Sequence, residues 1–316
     1  MSQQKTIVVF GATGAQGGGL VRAILADPTG GFRVRAVTRD LTSDKSKALA
    51  AMGAEVVAAD IDDAVSVRQA LEGAYGAFFV TFFWTHFSPE KESAEVKVFA
   101  DAAKDAGIQH AIWSTLEDTR KWYSIDDDSM PTLQGNYKVP HFDGKGQSDH
   151  FFTDAGVPTT FLYASFYWDN FIHFGLGPKR GEDGKLTLTM PMGDKELSGI
   201  GAEDIGRCAY GIFKKGAEMV GQSVGVSGEN ITLANMCTLM SKALGEEVTY
   251  NAIPPAVFRS FGFPGADDLG NMFQFYTEQA EYLLGVRNPV LSKELNPALQ
   301  NFEAWLADNA KQIPLG

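Results

Sequence analysis

Short apolar runs alternate with longer amphipathic segments through the first half of the chain. Six runs rich in Val, Ile, Phe and Ala occur at 6–10, 33–39, 54–60, 76–83, 110–115 and 158–163. Such runs are typical of strands that are buried on both faces of a sheet. The intervening segments carry apolar residues at helical spacing, most clearly over 91–106. Strands that alternate with helices in this way predict an α/β fold with a doubly wound parallel sheet.

The pattern changes after residue 164. Shorter apolar runs, at 186–190, 224–227 and 248–252, are mixed with helical patterns near 203–215, 232–244, 265–284 and 297–309. We therefore predict two domains, a sheet domain over 1–164 and a smaller α+β lobe over 165–316 that packs over the crevice, with some later segments free to return to the sheet. Residues 117–140, which include three consecutive aspartates and a Met-Pro pair, predict an irregular insertion before a helix over 141–155.

A glycine motif follows the first predicted strand directly and opens the first predicted helix. Gly11 permits a tight turn, Gly14 lets the backbone approach a pyrophosphate, and Gly17 lets the helix pack against the strand. The helix N-terminus offers free N–H groups and a partial positive charge to phosphates. This context predicts a Rossmann-type domain. The cofactor-binding residues predicted in this loop are Gly11, Thr13, Gly14, Ala15, Gln16 and Gly17.

The end of the second predicted strand bears on which dinucleotide binds. In an NAD site this position usually holds an acid that bonds the ribose 2′-hydroxyl. Here it holds Thr38 and then Arg39, whose guanidinium suits a 2′-phosphate. We therefore predict NADP, although a shift of one residue would place Asp40 there and restore the NAD interpretation.

Further cofactor contacts are expected where other parallel strands end, because these ends meet at one edge of the sheet. Asp60 and Ile61 are placed to meet the adenine. The remaining predicted contacts along this edge are Thr81, Phe82, Phe83, Tyr163 and Phe166.

Composition and charge exclude several classes of function. The chain has 316 residues and a formal net charge of −12, without any Lys/Arg-rich run, which disfavours direct binding to nucleic acid. Cys208 and Cys237 fall in predicted helices and are interpreted as buried apolar residues in a reducing compartment. The first strand begins within a few residues of the N-terminus, and no apolar run approaches about 18 residues, so we expect a cytoplasmic protein without a membrane span.

Several motifs together resemble the NmrA-like family, atypical members of the short-chain dehydrogenase/reductase superfamily. They are GATGAQG at 11–17, the Thr38-Arg39 strand end, WSTLE at 113–117 and HFDGKG at 141–146. Later segments resemble the NADP(H) redox-sensor branch of that family, namely GVP at 156–158, GFPGA at 262–266 and NMF at 271–273. The resemblance spans nearly the whole chain.

The superfamily's chemistry implies a Tyr-x-x-x-Lys pair on one helix face, assisted by a Ser or Thr from strand five. Here Lys145 matches the lysine, which is expected to hold the nicotinamide ribose, but His141 replaces the tyrosine. Ser114 and Thr115 end strand five. The one literal match, from Tyr210 to Lys214, lies outside the topological position of the site and is interpreted as chance.

Three interpretations of the replaced tyrosine remain open. His141 is a proton donor in its own right, since imidazole titrates near neutral pH, or a residue at the helix start without chemistry. Alternatively, Lys145 alone handles the proton, as resemblance to isoflavone-reductase-like relatives implies. The tentative catalytic set is Lys145, His141, Ser114 and Thr115, and the histidine spacing predicts no metal.

The loss of the tyrosine favours an NADP(H)-binding sensor of redox state that acts through a regulatory protein partner. The alternative is an NADPH-dependent reductase of a small carbonyl or unsaturated compound, favoured by aromatic residues near the crevice that suit an apolar substrate. A scaffold with a vestigial site ranks last because the phosphate loop is intact.

Overall fold

The fold is built on a parallel sheet whose strands come from both halves of the chain. A computed structural model describes residues 4–316, so residues 1–3 of the predicted first domain lie outside the described residues. In chain order the strands are β1 Lys5–Val9, β2 Phe32–Thr38, β3 Glu55–Ala58, β4 Gly76–Phe79, β5 His110–Thr115, β6 Thr159–Tyr163, β7 Phe166–Tyr167, β8 Lys179–Arg180, β9 Leu186–Met190, β10 Glu196–Ile200, β11 Ser223–Gly225, β12 Glu229–Thr232 and β13 Val248–Ala252.

The helices cover both faces of this sheet and form much of the remaining chain. In chain order they are α1 Ala15–Leu25, α2 Asp44–Ala51, α3 Ala64–Leu71, α4 Pro89–Asp105, α5 Pro140–Gly146, α6 Asp149–Asp154, α7 Asn170–His173, α8 Ala202–Lys215, α9 Leu233–Leu244, α10 Pro255–Arg259, α11 Ala266–Glu278, α12 Ala280–Val286, α13 Pro289–Leu295 and α14 Phe302–Asn309.

The main sheet has seven strands in the order β11-β6-β5-β4-β1-β2-β3, and every neighbouring pair is parallel. Successive residues of β1 point to opposite faces. Ile7 and Val9 pack in the core under α1 and α8, whereas Val8 and Phe10 pack in the core under α3 and α4. The predicted α/β fold with a doubly wound parallel sheet is therefore confirmed.

Two small sheets lie in the C-terminal part. One has the order β12-β10-β7 and the other β13-β9-β8, and a separate apolar core joins them to α9, α11 and α14. The smaller α+β layer next to the main sheet was expected from the mixed pattern after residue 164.

Two segments of the C-terminal half pack into the main layer. β11 pairs with β6, so that Gly225 lies opposite Tyr163. Helix α8 packs closely on α1: a Cβ on Gly206 would lie 2.2 Å from the backbone N of Leu20, and one on Gly19 would lie 2.4 Å from the carbonyl O of Glu203. The division at residue 164 stays a prediction, but later residues complete the first layer.

The helix predicted over 141–155 is two helices, and that expectation is corrected. The backbone N of Ser148 donates to the carbonyl O of Lys145, three residues back, and its hydroxyl donates to the carbonyl O of Gly144 at 2.6 Å. These bonds end α5 before α6 begins. The helix predicted over 265–284 is likewise divided, into α11 and α12 at Gln279.

The insertion at 117–140 is irregular, as predicted, but buried hydrogen bonds hold it in place. The buried Lys138 Nζ donates to the carbonyl oxygens of Asp127 and Met130, at 2.6 and 2.7 Å. The carboxylate of Asp143 on α5 accepts from the backbone N–H groups of Thr119 and Lys138. Over residues 4–316, no helix is both long and apolar enough to cross a membrane.

Candidate functional site

A cavity of about 670 Å³ lies at the carboxyl ends of the central strands. The glycine loop and the ends of β4 and β5 form one side, and α5, α7 and α11 form the other. Many predicted site residues line it together: Gly11, Gly14, Ala15, Gln16, Gly17, Thr81, Phe82, Phe83, Ser114, Thr115, His141, Lys145 and Phe166. Parallel topology explains this convergence, because strand ends distant in sequence meet at one edge.

The glycine loop fits a diphosphate. Gly11 has φ +65°, and a Cβ there would lie 2.7 Å from Val80 Cγ1, so this position requires glycine. Helix α1 then begins without a side-chain cap and without an acid in its first turn. Its first N–H groups therefore remain available to an anion, and the helix dipole favours negative charge at this end.

Lys145 lies at the centre of a buried polar chain. Its Nζ donates to Thr81 Oγ1 at 2.6 Å and lies 3.2 Å from Glu92 Oε1, while the Thr81 hydroxyl donates to that same carboxylate oxygen at 2.7 Å. Glu92 is completely buried in α4. The ammonium is thus fixed in the cavity wall by groups from α4 and from the segment that follows β4.

His141 forms a second buried pair on the same helix. Its Nδ1 lies 2.6 Å from Asp268 Oδ1, and its backbone N donates to Asp268 Oδ2 at 3.1 Å. The imidazole packs against Trp84, with ring centroids 4.8 Å apart. Because His141 and Lys145 are four residues apart on α5, both face the cavity.

Ser114 is connected to the glycine loop through a glutamine. Its hydroxyl donates to Gln16 Oε1 at 2.8 Å, and Gln16 Nε2 in turn donates to the Tyr167 hydroxyl. Burial raises the pKa of Tyr167 well above its usual range. The arrangement connects the end of β5 to the first turn of α1 and to β7.

Thr115 and Tyr163 direct their hydroxyls to a carboxylate outside the cavity lining. Thr115 Oγ1 donates to Asp149 Oδ1 at 2.6 Å, and the Tyr163 hydroxyl donates to Asp149 Oδ2 at 3.2 Å. Trp113 Nε1 also donates to Asp149. Burial raises the pKa of Asp149 to about 6. Thr115 still lines the cavity, but Tyr163 does not.

Several other predicted residues do not line the cavity. Arg39 and Asp60 are exposed at the ends of β2 and β3, and Thr13 and Ile61 are half-buried. These four lie where strand ends or the glycine loop face solvent, so their contacts with a cofactor stay predictions. Tyr210 of the literal Tyr-x-x-x-Lys match donates to Asp27 Oδ2 at 2.8 Å and does not line the cavity.

The model of the NmrA-like family matches residues 3–306. The chain belongs to the NmrA-like family. Among curated relatives, the NmrA-like family domain-containing oxidoreductase ptmS of Penicillium ochrochloron is 25% identical, with 96% of this chain and 97% of the relative covered. Among solved structures, the negative transcriptional regulator NmrA in complex with NADP is 26% identical, with a TM-score of 0.80 over 98% of this chain and 96% of that one. The same regulator in complex with NAD is 25% identical, with the same TM-score and coverage.

Two important residues of this NmrA-like site were not predicted from the sequence. Glu92 carried a weak signal, since it lies at helical spacing from the apolar Val96 and Phe99 and thus on the buried face of α4. Asp268 carried no such signal, because acids are common in the first turn of any helix. Only the packing of α11 against α5 brings it to His141, 127 residues away.

Proposed function

We propose that this NmrA-like protein binds NADP(H) and reduces a small, apolar carbonyl or unsaturated compound. The observation that carries the proposal is the continuity of one cavity. It runs from the phosphate loop past Lys145 and His141 to a wall of apolar side chains from α11 and the segment before it. Those wall residues are Phe263, Pro264, Leu269, Met272 and Tyr276. A pocket with few polar groups and a largely apolar lining is typical of small-molecule sites.

Three features support the cofactor. The glycine loop fits a diphosphate, Arg39 is exposed at the end of β2, and solved relatives are bound to NADP and to NAD. The guanidinium of Arg39 favours the 2′-phosphate of NADP. Bound NADPH would supply a hydride to the substrate.

Residues of the cavity would bind the cofactor and position the substrate. Lys145 would hold the nicotinamide ribose from a position fixed by Thr81 and Glu92. Ser114 would keep Gln16 and the first turn of α1 in place. His141 presents an imidazole to the apolar part of the cavity, where a substrate oxygen would lie. The apolar wall would exclude water from that position.

The test is steady-state NADPH oxidation with uncharged aldehydes and quinones, among them 2-naphthaldehyde and menadione. We expect turnover that is lost in Gly14→Val, in which the added side chain fills the space where the pyrophosphate approaches. A Cβ at Gly14 would itself lie 3.2 Å from the carbonyl O of Gly11, so this variant should remain folded after a small adjustment. Calorimetry with NADPH measures, independently of turnover, whether the parent binds the cofactor. NADPH that binds but is not oxidised with any compound would contradict the reductase.

A second candidate is a redox-state sensor that acts through a protein partner. The similarity to a negative transcriptional regulator over nearly the whole chain supports it. For a sensor, we expect NADPH and NADP⁺ to change limited proteolysis within 117–140 to different extents, without turnover of any compound above. Identical cleavage with both cofactor forms would count against the sensor.

A further inference from the structure

The cavity needs a proton donor, because reduction of a carbonyl leaves a negative charge on its oxygen. The Lys145 ammonium is already committed. Thr81 Oγ1 at 2.6 Å and Glu92 Oε1 at 3.2 Å occupy two of its three N–H bonds. The third has only the carbonyl O of Thr81 at 3.4 Å and is the one that would hold the nicotinamide ribose. Ser114 donates its hydroxyl proton to Gln16, and Thr115 donates to Asp149. The hydroxyl groups at the end of β5 are thus engaged as well.

His141 has one ring nitrogen engaged and one free. Nδ1 is bound to Asp268, but Nε2 makes no hydrogen bond with any residue from 4 to 316. Nε2 is not fully buried and retains accessible surface. His141 also lines the cavity. The free nitrogen therefore opens into the space where a substrate would bind.

Asp268 fixes how this imidazole is presented. One carboxylate oxygen accepts from the backbone N–H of His141, and the other accepts from Nδ1. Both side chains are buried, with 7% of His141 and 4% of Asp268 exposed. An acceptor at Nδ1 holds the proton of the neutral ring on Nδ1 and stabilises the doubly protonated ring, which carries a second proton on Nε2.

We infer that Asp268 is a positioning residue that makes His141 the proton donor to the substrate oxygen. This inference rests on the proposed reductase function. As a hydride from NADPH forms the new C–H bond, the carbonyl π pair moves to oxygen. The oxygen takes the proton from His141 Nε2, so that an alcohol and NADP⁺ are formed. The ring is left neutral with its proton on Nδ1, and water restores the proton on Nε2.

The first test is spectroscopic and does not depend on turnover. In long-range ¹H–¹⁵N NMR of histidine-labelled protein, at a pH where the ring is neutral, we expect the His141 proton on Nδ1. Signals that vanish in His141→Gln identify this ring. In Asp268→Asn the amide oxygen must face the backbone N–H of His141, so its NH₂ faces Nδ1, and the proton should move to Nε2. A proton on Nε2 in the parent, or an unchanged tautomer in Asp268→Asn, would overturn the inference.

The second test is kinetic, with 2-naphthaldehyde and NADPH as the probes. We expect Asp268→Asn to lower kcat by about 10- to 1000-fold, and His141→Gln by about 10²- to 10⁴-fold. KM and the Kd for NADPH should change less than about twofold in both variants. The matched control is Asp267→Asn, which makes the same charge change at an exposed position in the same turn of α11 and should retain parental kcat.

Tyrosines provide the competing donor. Tyr276 also lines the cavity, but burial raises its pKa well above the usual range, as it does for Tyr167. Because both phenols line the cavity, some loss is expected in Tyr276→Phe and Tyr167→Phe, but each should lower kcat less than His141→Gln does. A loss in either that exceeds the loss in His141→Gln would assign the proton to that phenol instead.

The outcomes separate this inference from the function on which it rests. Turnover by the parent that is equally insensitive to Asp268→Asn and Asp267→Asn would overturn the role of Asp268 and leave the reductase intact. A parent that binds NADPH but oxidises it with no compound would overturn the reductase, and with it the proton transfer. Melting temperatures of all variants show whether Asp268→Asn is folded, and if it is not, His141→Gln and the tautomer of the parent ring still decide the question.

Discussion

Arg39 and Asp40 are neighbours at the end of β2, but only Asp40 is engaged within its own loop. Asp40 Oδ1 accepts from the backbone N and the hydroxyl of Thr42, at 2.8 and 2.6 Å. These hydrogen bonds hold the pKa of the Asp40 carboxyl below its usual range. The carboxylate is therefore satisfied locally, whereas Arg39 is exposed and forms no ion pair with any residue from 4 to 316. This asymmetry supports the NADP prediction over the NAD alternative.

Arg39→Asp should reverse the preference between the two dinucleotides. A charge-assisted contact with the 2′-phosphate contributes about 1.5–3 kcal/mol, or roughly ten- to a hundredfold in affinity. Calorimetry with NADP⁺ and NAD⁺ measures both. Lys104→Asp is the control, because it makes the same charge change in the last turn of α4. That turn lies near the amino ends of the strands, away from the cavity at their carboxyl ends. Equal affinities of the parent for both dinucleotides would contradict the prediction.

Glu95 should make the stability of the protein depend on pH. Burial raises the pKa of this carboxyl from its ordinary 4.5 to about 7, although Lys91 Nζ and His86 Nε2 each lie 3.7 Å away. The folded state thus holds a proton that the unfolded chain has already lost between these values. The contribution of Glu95 to stability is therefore fully present below about pH 4.5 and is lost as the pH rises through 7.

In Glu95→Gln this pH dependence should disappear. Between pH 5 and pH 8, the parent should lose more unfolding free energy than the variant, by an amount on the order of 2 kcal/mol. Urea unfolding at the two pH values measures the difference. Glu90→Gln, at an exposed position of the same helix, should follow the parent. Parallel behaviour of the parent and Glu95→Gln would show that the carboxyl is already ionised at pH 5.

Among single residues, the cavity-facing side chains of α5 were predictable from the sequence, but the carboxylates that bind them were not. Lys145 and His141 were found because the family resemblance implies a pair of residues at this spacing, which places both on one helix face. Glu92 and Asp268 lie on other helices, so that only tertiary packing, which no local pattern encodes, brings their carboxylates to α5.

At the scale of elements, α11 connects the cavity with the insertion at 117–140. Leu269, Met272 and Tyr276 line the cavity, while polar side chains on another face bind the insertion or His141. Those polar residues are Asp268, Asn271, Gln274 and Glu278. The apolar half of this pattern predicted a helix, but the partners of the polar half could not be deduced, because the insertion has no periodic structure. The break between α5 and α6 was not predicted either. It depends on a hydrogen bond from the Ser148 side chain to the backbone of α5, which the apolar pattern does not reveal.

Asn271→Ala should loosen the insertion. Asn271 Nδ2 donates to the carbonyl oxygens of Pro131 and Lys138, at 2.8 and 2.5 Å, and Asn271 is fully buried. Unpaired buried carbonyls cost about 1–3 kcal/mol. We expect cleavage within 117–140 to be at least several times faster in limited proteolysis. Asn235→Ala, at an exposed position of α9, is the control. An unchanged cleavage rate would mean that other contacts suffice to hold the insertion.

At the scale of the whole molecule, a contact between glycines joins the two halves of the chain. Gly19 on α1 and Gly206 on α8 let the two helices approach to backbone contact. The parallel sheet formed by the first six strands was predictable from their apolar runs and the helices between them. That some later segments return to the sheet was allowed for, but which ones do so was not predictable, because β11 is short and its neighbour in the sheet lies far away in sequence.

Gly206→Ala should destabilise the protein and weaken its binding of dinucleotide together. The new Cβ would lie 2.2 Å from Leu20 N and 2.4 Å from Gln16 O, so α1 would have to move, and the glycine loop with it. Overpacking of this kind costs about 1–3 kcal/mol. Thermal unfolding and NADP⁺ calorimetry measure the two effects. Gly285→Ala on α12, where a Cβ meets no atom within 4 Å, should change neither. Parental affinity in a clearly destabilised Gly206→Ala would separate the helix contact from the loop.

The contact between α1 and α8 also affects how the protein folds during translation. The ion pair between Arg22 of α1 and Glu203 of α8 spans 181 residues, so α1 is synthesised long before the helix that covers it. Until α8 emerges, the apolar face of α1 is exposed to solvent and to chaperones. Contacts between segments so far apart in sequence also form slowly. Nascent chains arrested with residues 1–164 outside the ribosome should therefore be digested by protease even with NADP⁺ present, whereas chains arrested with residues 1–316 outside should resist. The glycine loop, although it is encoded near the start of the message, would thus be held in its final position only late in translation.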